Sequence, residues 1–394
     1  MIFTGILLLG LIAIGIWEYR NHQRIIKLIP NRIHVNGTRG KSSVTRLITG
    51  GLHAGGIKAL GKTTGTKPCY IYPDGREVPI SRIGKANIIE QVKVARHAVS
   101  HRVESLVVEC MAVLPPNQRI TERQIIHSTV GIITNVRADH LDEMGPTVAD
   151  VARTLSNTIP YHGVFFTCEE RYVSIFWDVA NRRQTEVHLI KSDRISDEMM
   201  RGFSYLEHRD NVALALAVCK HFNVSEVEAL EGMKRCVPDP GVLRMFQIHH
   251  YEKEIQFVNA FAANDPDSYL IIWDLLKPHF AAKKKVIVIV NCRKDRIQRT
   301  EGLADLIAKK LPADHFILVG EFTLPLYNKA ISLGLPKSNI SNLIDLHPEQ
   351  IFEQIVSHTD ESSLVIGIGN IVGFGEEIVS MFTNRGKEYV YGSR

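Results

Sequence analysis

Lys41, Ser42 and Ser43 close a tight turn, Gly37-Thr38-Arg39-Gly40, that is entered from the β-branched run Ile33-His34-Val35-Asn36. Glycines at such a turn let backbone N–H groups converge on an anion at the amino end of a helix. From there Lys41 can reach terminal phosphates, and the Ser42 hydroxyl can take one position on Mg²⁺. An amphipathic stretch with Val44, Leu47, Ile48 and Leu52 follows and supplies the helix. The loop is shorter than the full phosphate-loop pattern, because Val35 and Asn36 stand where a first glycine is wanted. The expected chemistry is ATP binding and phosphoryl transfer, with Gly37, Thr38, Arg39, Gly40, Lys41, Ser42 and Ser43 around the phosphates.

Two further apolar runs end in polar groups. Ser105-Leu106-Val107-Val108 leads into Glu109, and Gly131-Ile132-Ile133-Thr134 leads into Asn135, with Asp139, His140 and Asp142 close behind. Ligands of open α/β sheets sit beyond the carboxyl ends of the strands, so these residues are placed to meet the phosphates. Mg²⁺ takes hard oxygen ligands with one or two carboxylates, which makes Glu109 a metal ligand by expectation. Thr63, Thr64 and Thr66 either line the metal or an acceptor carboxylate, or form a Thr-rich turn.

The elements that must position these groups read as two α/β layers. The chain has 394 residues, enough for two cores, with 45% apolar and 23% charged residues. Its net charge of +5 carries no dense basic stripe with interleaved aromatics, so nucleic acid is not indicated. Six scattered cysteines without a Cys-x-x-Cys pair argue against a zinc site or a disulfide framework and suit a reducing compartment. Strands are expected at 33–36, 105–110, 130–135 and 164–167, and helices at 42–53, 86–99, 148–158 and 211–222. Pro238-Asp239-Pro240-Gly241 breaks the first series. A second, smaller doubly wound series follows, with strands at 255–258, 286–291, 316–320 and 364–368. A boundary near residue 245 is expected to leave a cleft for a nucleotide and a second substrate.

The amino terminus differs. Ile2 to Trp17 holds no charge, and Trp17 and Tyr19 suit a lipid interface. Nineteen residues of helix reach about 28 Å, close to one hydrocarbon thickness. A cleaved signal peptide would carry a basic leading region and a small-residue cleavage site, and neither is present. Arg20, Arg24 and Lys27 follow the apolar stretch, which keeps the body on the cytoplasmic face of the cell membrane.

The phrases Gly37-Thr38-Arg39-Gly40-Lys41-Ser42 and Asn135-x-x-x-Asp139-His140-Leu141-Asp142-x-x-Gly145-Pro146-Thr147 resemble the Mur ligase and folylpolyglutamate synthetase superfamily. Asn211-Val212-Ala213-Leu214-Ala215-Leu216-Ala217 resembles that superfamily's helix beginning with an asparagine near the adenine. Asn259 through Pro266 resembles its inter-domain segment, and Gly367-Ile368-Gly369-Asn370 its late Gly-rich turn. More narrowly, Gly61-Lys62-Thr63-Thr64-Gly65-Thr66, Glu109-Cys110-Met111-Ala112-Val113, Pro238-Asp239-Pro240-Gly241 and Asn291-Cys292-Arg293-x-Asp295-Arg296 resemble the poly-γ-glutamate synthase subunit family called PgsB or CapB. The resemblance implies an α/β architecture. One membrane helix (1–20) precedes a P-loop, Mur-ligase-like central domain (21–245) and a smaller Rossmann-like carboxyl-terminal domain (246–394).

It also implies roles. His140 joins Ser42, Thr63 and Glu109 at Mg²⁺ or Mn²⁺, and Asn211, Asn259 and Arg244 attend the nucleotide. Arg293, Asp295, Arg296 and Arg299 hold glutamate carboxylates and attract the incoming amine. Two departures stand out. No lysine occurs between Val94 and Ile190, so the carbamylated lysine that many Mur enzymes carry near the position of Leu155 is missing. The amino-terminal domain that holds a UDP-sugar precursor is absent too, so a peptidoglycan substrate is not expected. The implied activity is ATP-dependent polymerisation of glutamate through an acyl phosphate, with small integral membrane subunits as partners for an anionic product. A folylpolyglutamate-type ligase and a nucleotide-hydrolysing subunit of an export or assembly complex are the alternatives.

Overall fold

The computed structural model describes residues 2–65, 68–82, 86–203, 205, 207–238, 243–261, 266–280, 285–293, 297–344, 346–371 and 373–388. The chain divides into two compact units, one of Met1–Met200 with His208–Asp239, the other of Arg201–Glu207 with Pro240–Arg394.

The first unit is built on eight strands: β1 (Asn31–Asn36), β2 (Ala59–Lys62), β3 (Cys69–Ile71), β4 (Glu77–Pro79), β5 (Ser105–Glu109), β6 (Val130–Ile133), β7 (Val164–Thr167) and β8 (Glu186–Leu189). Their order is β4-β3-β2-β5-β1-β6-β7-β8. The pairs from β2 to β8 run parallel, and β3 and β4 add antiparallel at one edge, β3 against β2 and β4 against β3. The strand order reverses at β1, so a crevice opens at its carboxyl end, where a ligand site is expected. Both faces of the sheet are covered by helices, which is why β5 is buried at every position and reads as an unbroken apolar run.

Helix α1 (Ile2–Lys27) is long and apolar enough to cross a membrane. It is exposed up to Arg20, but its last turns are not: Ile26 and the following Ile29 sit in a buried cluster with Leu106, Val108 and Ile125. Helix α2 (Lys41–Ala54) leaves the turn after β1, and α3 (Glu90–Ser100) covers β2 and β5. A single π-helical turn, Thr121–Ile126, precedes β6 and packs beside α1.

The second unit carries seven strands: β9 (Arg244–His250), β10 (Lys253–Asn259), β11 (Lys285–Cys292), β12 (His315–Gly320), β13 (Ile340–Asn342), β14 (Ser362–Gly369) and β15 (Gly386–Glu388). Their order is β13-β12-β11-β14-β10-β9-β15, parallel from β13 to β10, with β9 and β15 antiparallel at the edge. Val286, Val288 and Val290 of β11 enter one core cluster while Ile287 and Ile289 enter the other, the signature of a strand buried on both faces. Arg244, expected to end the first domain, opens β9 of this sheet.

Candidate active site

The phosphate loop is braced from behind by the strand next door. Gly37 adopts φ +135°, and a Cβ there would lie 2.0 Å from Thr134 Oγ1, so only glycine lets the loop lie against β6. Gly40, at φ +80°, takes the left-handed conformation that launches α2. Thr38 Oγ1 donates to Asn135 Oδ1 at 2.6 Å, and the Arg39 N–H donates to the same oxygen at 3.1 Å. In return Asn135 Nδ2 and Thr134 Oγ1 donate to the Arg39 carbonyl at 3.1 and 2.6 Å. The Arg39 guanidinium pairs with Asp139 at 2.8 Å. The Asn135–Asp139 part of the motif therefore holds the loop's shape.

Lys41 begins α2, and its ammonium donates to the Gly37 carbonyl at 2.7 Å, curled over the loop. Ser42 Oγ donates to Glu109 Oε2 at 2.8 Å, and the Thr64 backbone N–H donates to the same oxygen at 2.6 Å. Register explains the meeting: β1 and β5 are parallel with Val35 opposite Glu109, so both strands deliver polar groups at one level. A hydroxyl and a carboxylate in contact are two hard oxygens of the kind Mg²⁺ or Mn²⁺ takes, and the pair fits a nucleotide-bound divalent ion. Asn211, buried in the first turn of helix Arg209–His221, lies against the loop, its Oδ1 2.8 Å from where a Cβ of Gly40 would stand.

Not every expected residue joins this group. Thr63 is fully buried, and its hydroxyl accepts from the Cys69 N–H at 3.2 Å, pinning the β2–β3 connection; the backbone of Thr64 meets Glu109 instead. His140 sits at φ 48°, about half exposed, with its ring 3.5 Å from Glu143. Among the described residues no cluster of three His, Cys, Asp or Glu side chains is arranged to hold a metal. Thr147, at the end of the same motif, caps the helix Val148–Leu155 through the Asp150 N–H at 3.2 Å, a folding role.

In the second unit, Arg244 and Asn259 face each other across the β9–β10 ladder, and Asn259 is also level with Gly367 of β14. Asn291 Nδ2 donates to the Asn370 carbonyl at 2.6 Å, so the ends of β11 and β14 converge just before Arg293. Asp295, Arg296 and Thr66 lie outside the described residues.

One group went unassigned in the sequence. Lys62, the last residue of β2, is fully buried and pairs with Glu90 at 2.8 Å; Glu90 in turn accepts two bonds from Arg82 at 2.8 and 3.1 Å. Burial pulls the Lys62 ammonium below its ordinary range, only partly offset by Glu90. Burial alone would raise the Glu90 carboxyl, but the bonds from Arg82 and Lys62 hold it low. The signal was available: a lysine closing an apolar strand next to the strand that Glu109 closes.

Comparison with known proteins bears on the fold and the family. Residues 35–225 match the Mur ligase middle domain. The folylpolyglutamate synthase of Mycobacterium tuberculosis, solved with ADP and AMPPCP, superposes with a TM-score of 0.65, covering 94% of this chain and 96% of that one at 15% identity. A bifunctional folylpolyglutamate synthase/dihydrofolate synthase with Mn, AMPPNP and L-glutamate bound gives a TM-score of 0.61 at 16% identity, covering 92% of each chain. The fold and the phosphate site thus define an ATP-dependent ligase of the Mur type. The second unit narrows this, since residues 245–385 match the poly-gamma-glutamate synthase CapB C-terminal domain. The capsule biosynthesis protein CapB of Bacillus anthracis is 40% identical over 384 residues, covering 97% of this chain and 82% of that protein. The PGA synthase CapB of Bacillus subtilis (strain 168) is 37% identical over 371 residues, covering 94% of each. The chain belongs to the CapB family.

Proposed function

We propose that this protein joins glutamate units into poly-γ-glutamate, consuming ATP at the site around Lys41. The contact between Ser42 and Glu109 beside a preformed phosphate loop carries the reading, together with membership of a family whose relatives include a PGA synthase. Lys41 and the backbone N–H groups at the start of α2 bind and orient the ATP phosphates. Ser42 and Glu109 would hold a divalent ion, proposed to be Mg²⁺, which when bound would supply positive charge against the charge that develops during transfer. The γ-phosphoryl passes to a γ-carboxylate oxygen of the chain end and ADP leaves. The α-amine of the next glutamate then attacks the acyl carbon; the C–N bond forms, the C–O bond to phosphate breaks, and the amine gives up a proton. In the second unit, Arg244 and Arg293, with Asp295, Arg296 and Asn259, are proposed to hold glutamate carboxylates and the nucleotide. His140 is proposed as a metal ligand only in a nucleotide-loaded state, since its ring faces Glu143 here.

The family name of the relatives and the apolar α1 support a further reading, in which α1 anchors the protein in the cell membrane with both units on the cytoplasmic face. A polyanionic product cannot leave through one helix, so small integral membrane subunits are proposed as partners.

The test is glutamate-dependent release of ADP and phosphate from membranes holding the chain, with hydroxylamine present to trap acyl phosphate. Glutamyl hydroxamate from the parent and none from Lys41→Ala is the expected result. ADP release indifferent to glutamate, without hydroxamate, would favour a nucleotide-hydrolysing subunit of an export complex and overturn the ligase mechanism.

A further inference from the structure

At the end of the first sheet opposite the phosphate loop, where the strands begin, lies a cavity of about 670 Å³ lined by Arg119, Arg123, Arg153, Arg182 and Arg183, with Asp178 as its acidic member. The arginines come from the segments that lead into β6, β7 and β8, so the topology gathers them at one end. They are organised around Tyr161, whose ring lies 5.4 Å from the Arg123 guanidinium and 4.6 Å from that of Arg183. Arg183 is fixed by the Asn157 and Ile159 carbonyls, and Arg153 pairs with Asp150 at 2.6 Å. Arg32 and Arg123 continue the basic lining into an adjoining cavity that also holds Glu122, His127 and His162. Nothing in the ligase reaction uses these groups, because the phosphate loop sits beyond the carboxyl end of β1, about 20 Å along the strand.

Placement says what the arginines face. The π-helical turn Thr121–Ile126 is a wall shared with α1. Its Gln124 carbonyl accepts from Gln23 Nε2 at 2.8 Å, and its Ile125 carbonyl lies 2.8 Å from His22 Nε2, while Arg123 of the same turn enters the cavity. From Tyr19, at the end of the apolar stretch, to the buried Ile26 is seven residues of unbroken helix, about 10 Å. If α1 spans the bilayer, this end of the sheet is brought to within about a Debye length of the headgroups. The attraction of an anionic leaflet for arginine acts over that range, and the guanidinium fork matches a phosphate.

We infer that the arginine-lined end of the first unit is a docking surface for phosphate headgroups of an anionic bilayer, holding the body against the membrane beside its anchor. The inference rests on α1 being a membrane helix. The growing glutamate chain, also a polyanion, is the competing occupant, and it is disfavoured because it is made at the opposite end of the sheet.

The test is hydrogen exchange on the full chain in nanodiscs of phosphatidylcholine alone and of phosphatidylcholine with phosphatidylglycerol. Segments 119–126, 153–162 and 182–186 are expected to exchange several-fold more slowly in the anionic discs, and high salt should abolish the difference. The variant Arg119→Gln, Arg123→Gln, Arg153→Gln, Arg182→Gln should lose the difference while keeping parental protection of β1 and parental ADP formation in detergent. Equal exchange of the parent in both lipids would overturn the docking surface. So would protection produced in neutral discs by added poly-γ-glutamate, which would hand the surface to the polymer. A chain that fails to stay with neutral discs would overturn the anchor and the docking surface together.

Discussion

At the residue scale the site turns on one carboxylate oxygen. Glu109 Oε2 receives both the Ser42 hydroxyl and the Thr64 N–H, so it joins the loop after β1 to the loop after β2. Glu109→Gln keeps an acceptor for both donors but removes the charge a divalent ion needs. The expected outcome is a folded protein whose activity requires about 10- to 100-fold more Mg²⁺, read from metal titrations of glutamate-dependent ADP release. A second residue-scale consequence concerns His34, buried on β1 with Nδ1 2.9 Å from Glu122 Oε2. Burial alone would lower its pKa, but Cys110 and Glu122 beside the ring outweigh that and push it up to about 10. A raised pKa means that the pair's contribution to stability is complete below the unfolded value of about 6.5 and is lost as pH climbs toward 10. Urea unfolding midpoints should fall over that window, and Glu122→Gln should flatten the slope; an identical slope in the variant would refute the assignment.

Among the elements, α2 carries the proposed phosphate-binding residues at its first turn and is held at its last turns by packing. A Cβ on Gly232, in the neighbouring helix Glu226–Lys234, would lie 2.2 Å from the Gly50 carbonyl and 2.7 Å from Ala54 Cβ. Gly232→Ala must push the helices apart, at a cost of about 1–3 kcal/mol. Thermal unfolding should register that loss together with weaker nucleotide binding, since α2 cannot shift without moving Lys41. The strands that carry the site were legible in the sequence because burial on both faces makes the middles of β5, β11 and β14 apolar runs, and β1 departs from this only at His34. What escaped was the edges. β3 and β4 span three residues each, too short for a pattern, and β9 reads as polar because it carries the half-buried Gln247 and the exposed His249. Side-chain direction at strand ends escaped as well: nothing in Thr63-Thr64 says that the first hydroxyl turns inward to Cys69 while the second residue offers only its N–H. The brace role of Asn135 was likewise hidden, because the spacing of a motif shows that residues act together without showing which of them touch ligand.

For the whole molecule, the amino-terminal helix is two things in sequence. Up to Arg20 it is exposed, and from His22 onward it belongs to the core of the first unit. A chain lacking residues 2–18 should fold and lose membrane retention, whereas one lacking residues 2–30 should be insoluble or molten, because Ile26 and Ile29 leave a hole beside Leu106 and Val108. Fractionation and the sharpness of thermal unfolding distinguish the two, and equal behaviour of both truncations would show that the packing is dispensable.

The bracing of the phosphate loop by Thr134 and Asn135 has a thermodynamic corollary. A loop already fixed by four hydrogen bonds has little conformational freedom to surrender when an anion arrives. Nucleotide binding at this cradle then draws its free energy from charge and contact with only a small ordering penalty, and removing the Asn135 amide turns a lock that waits for its ligand into one the ligand must assemble.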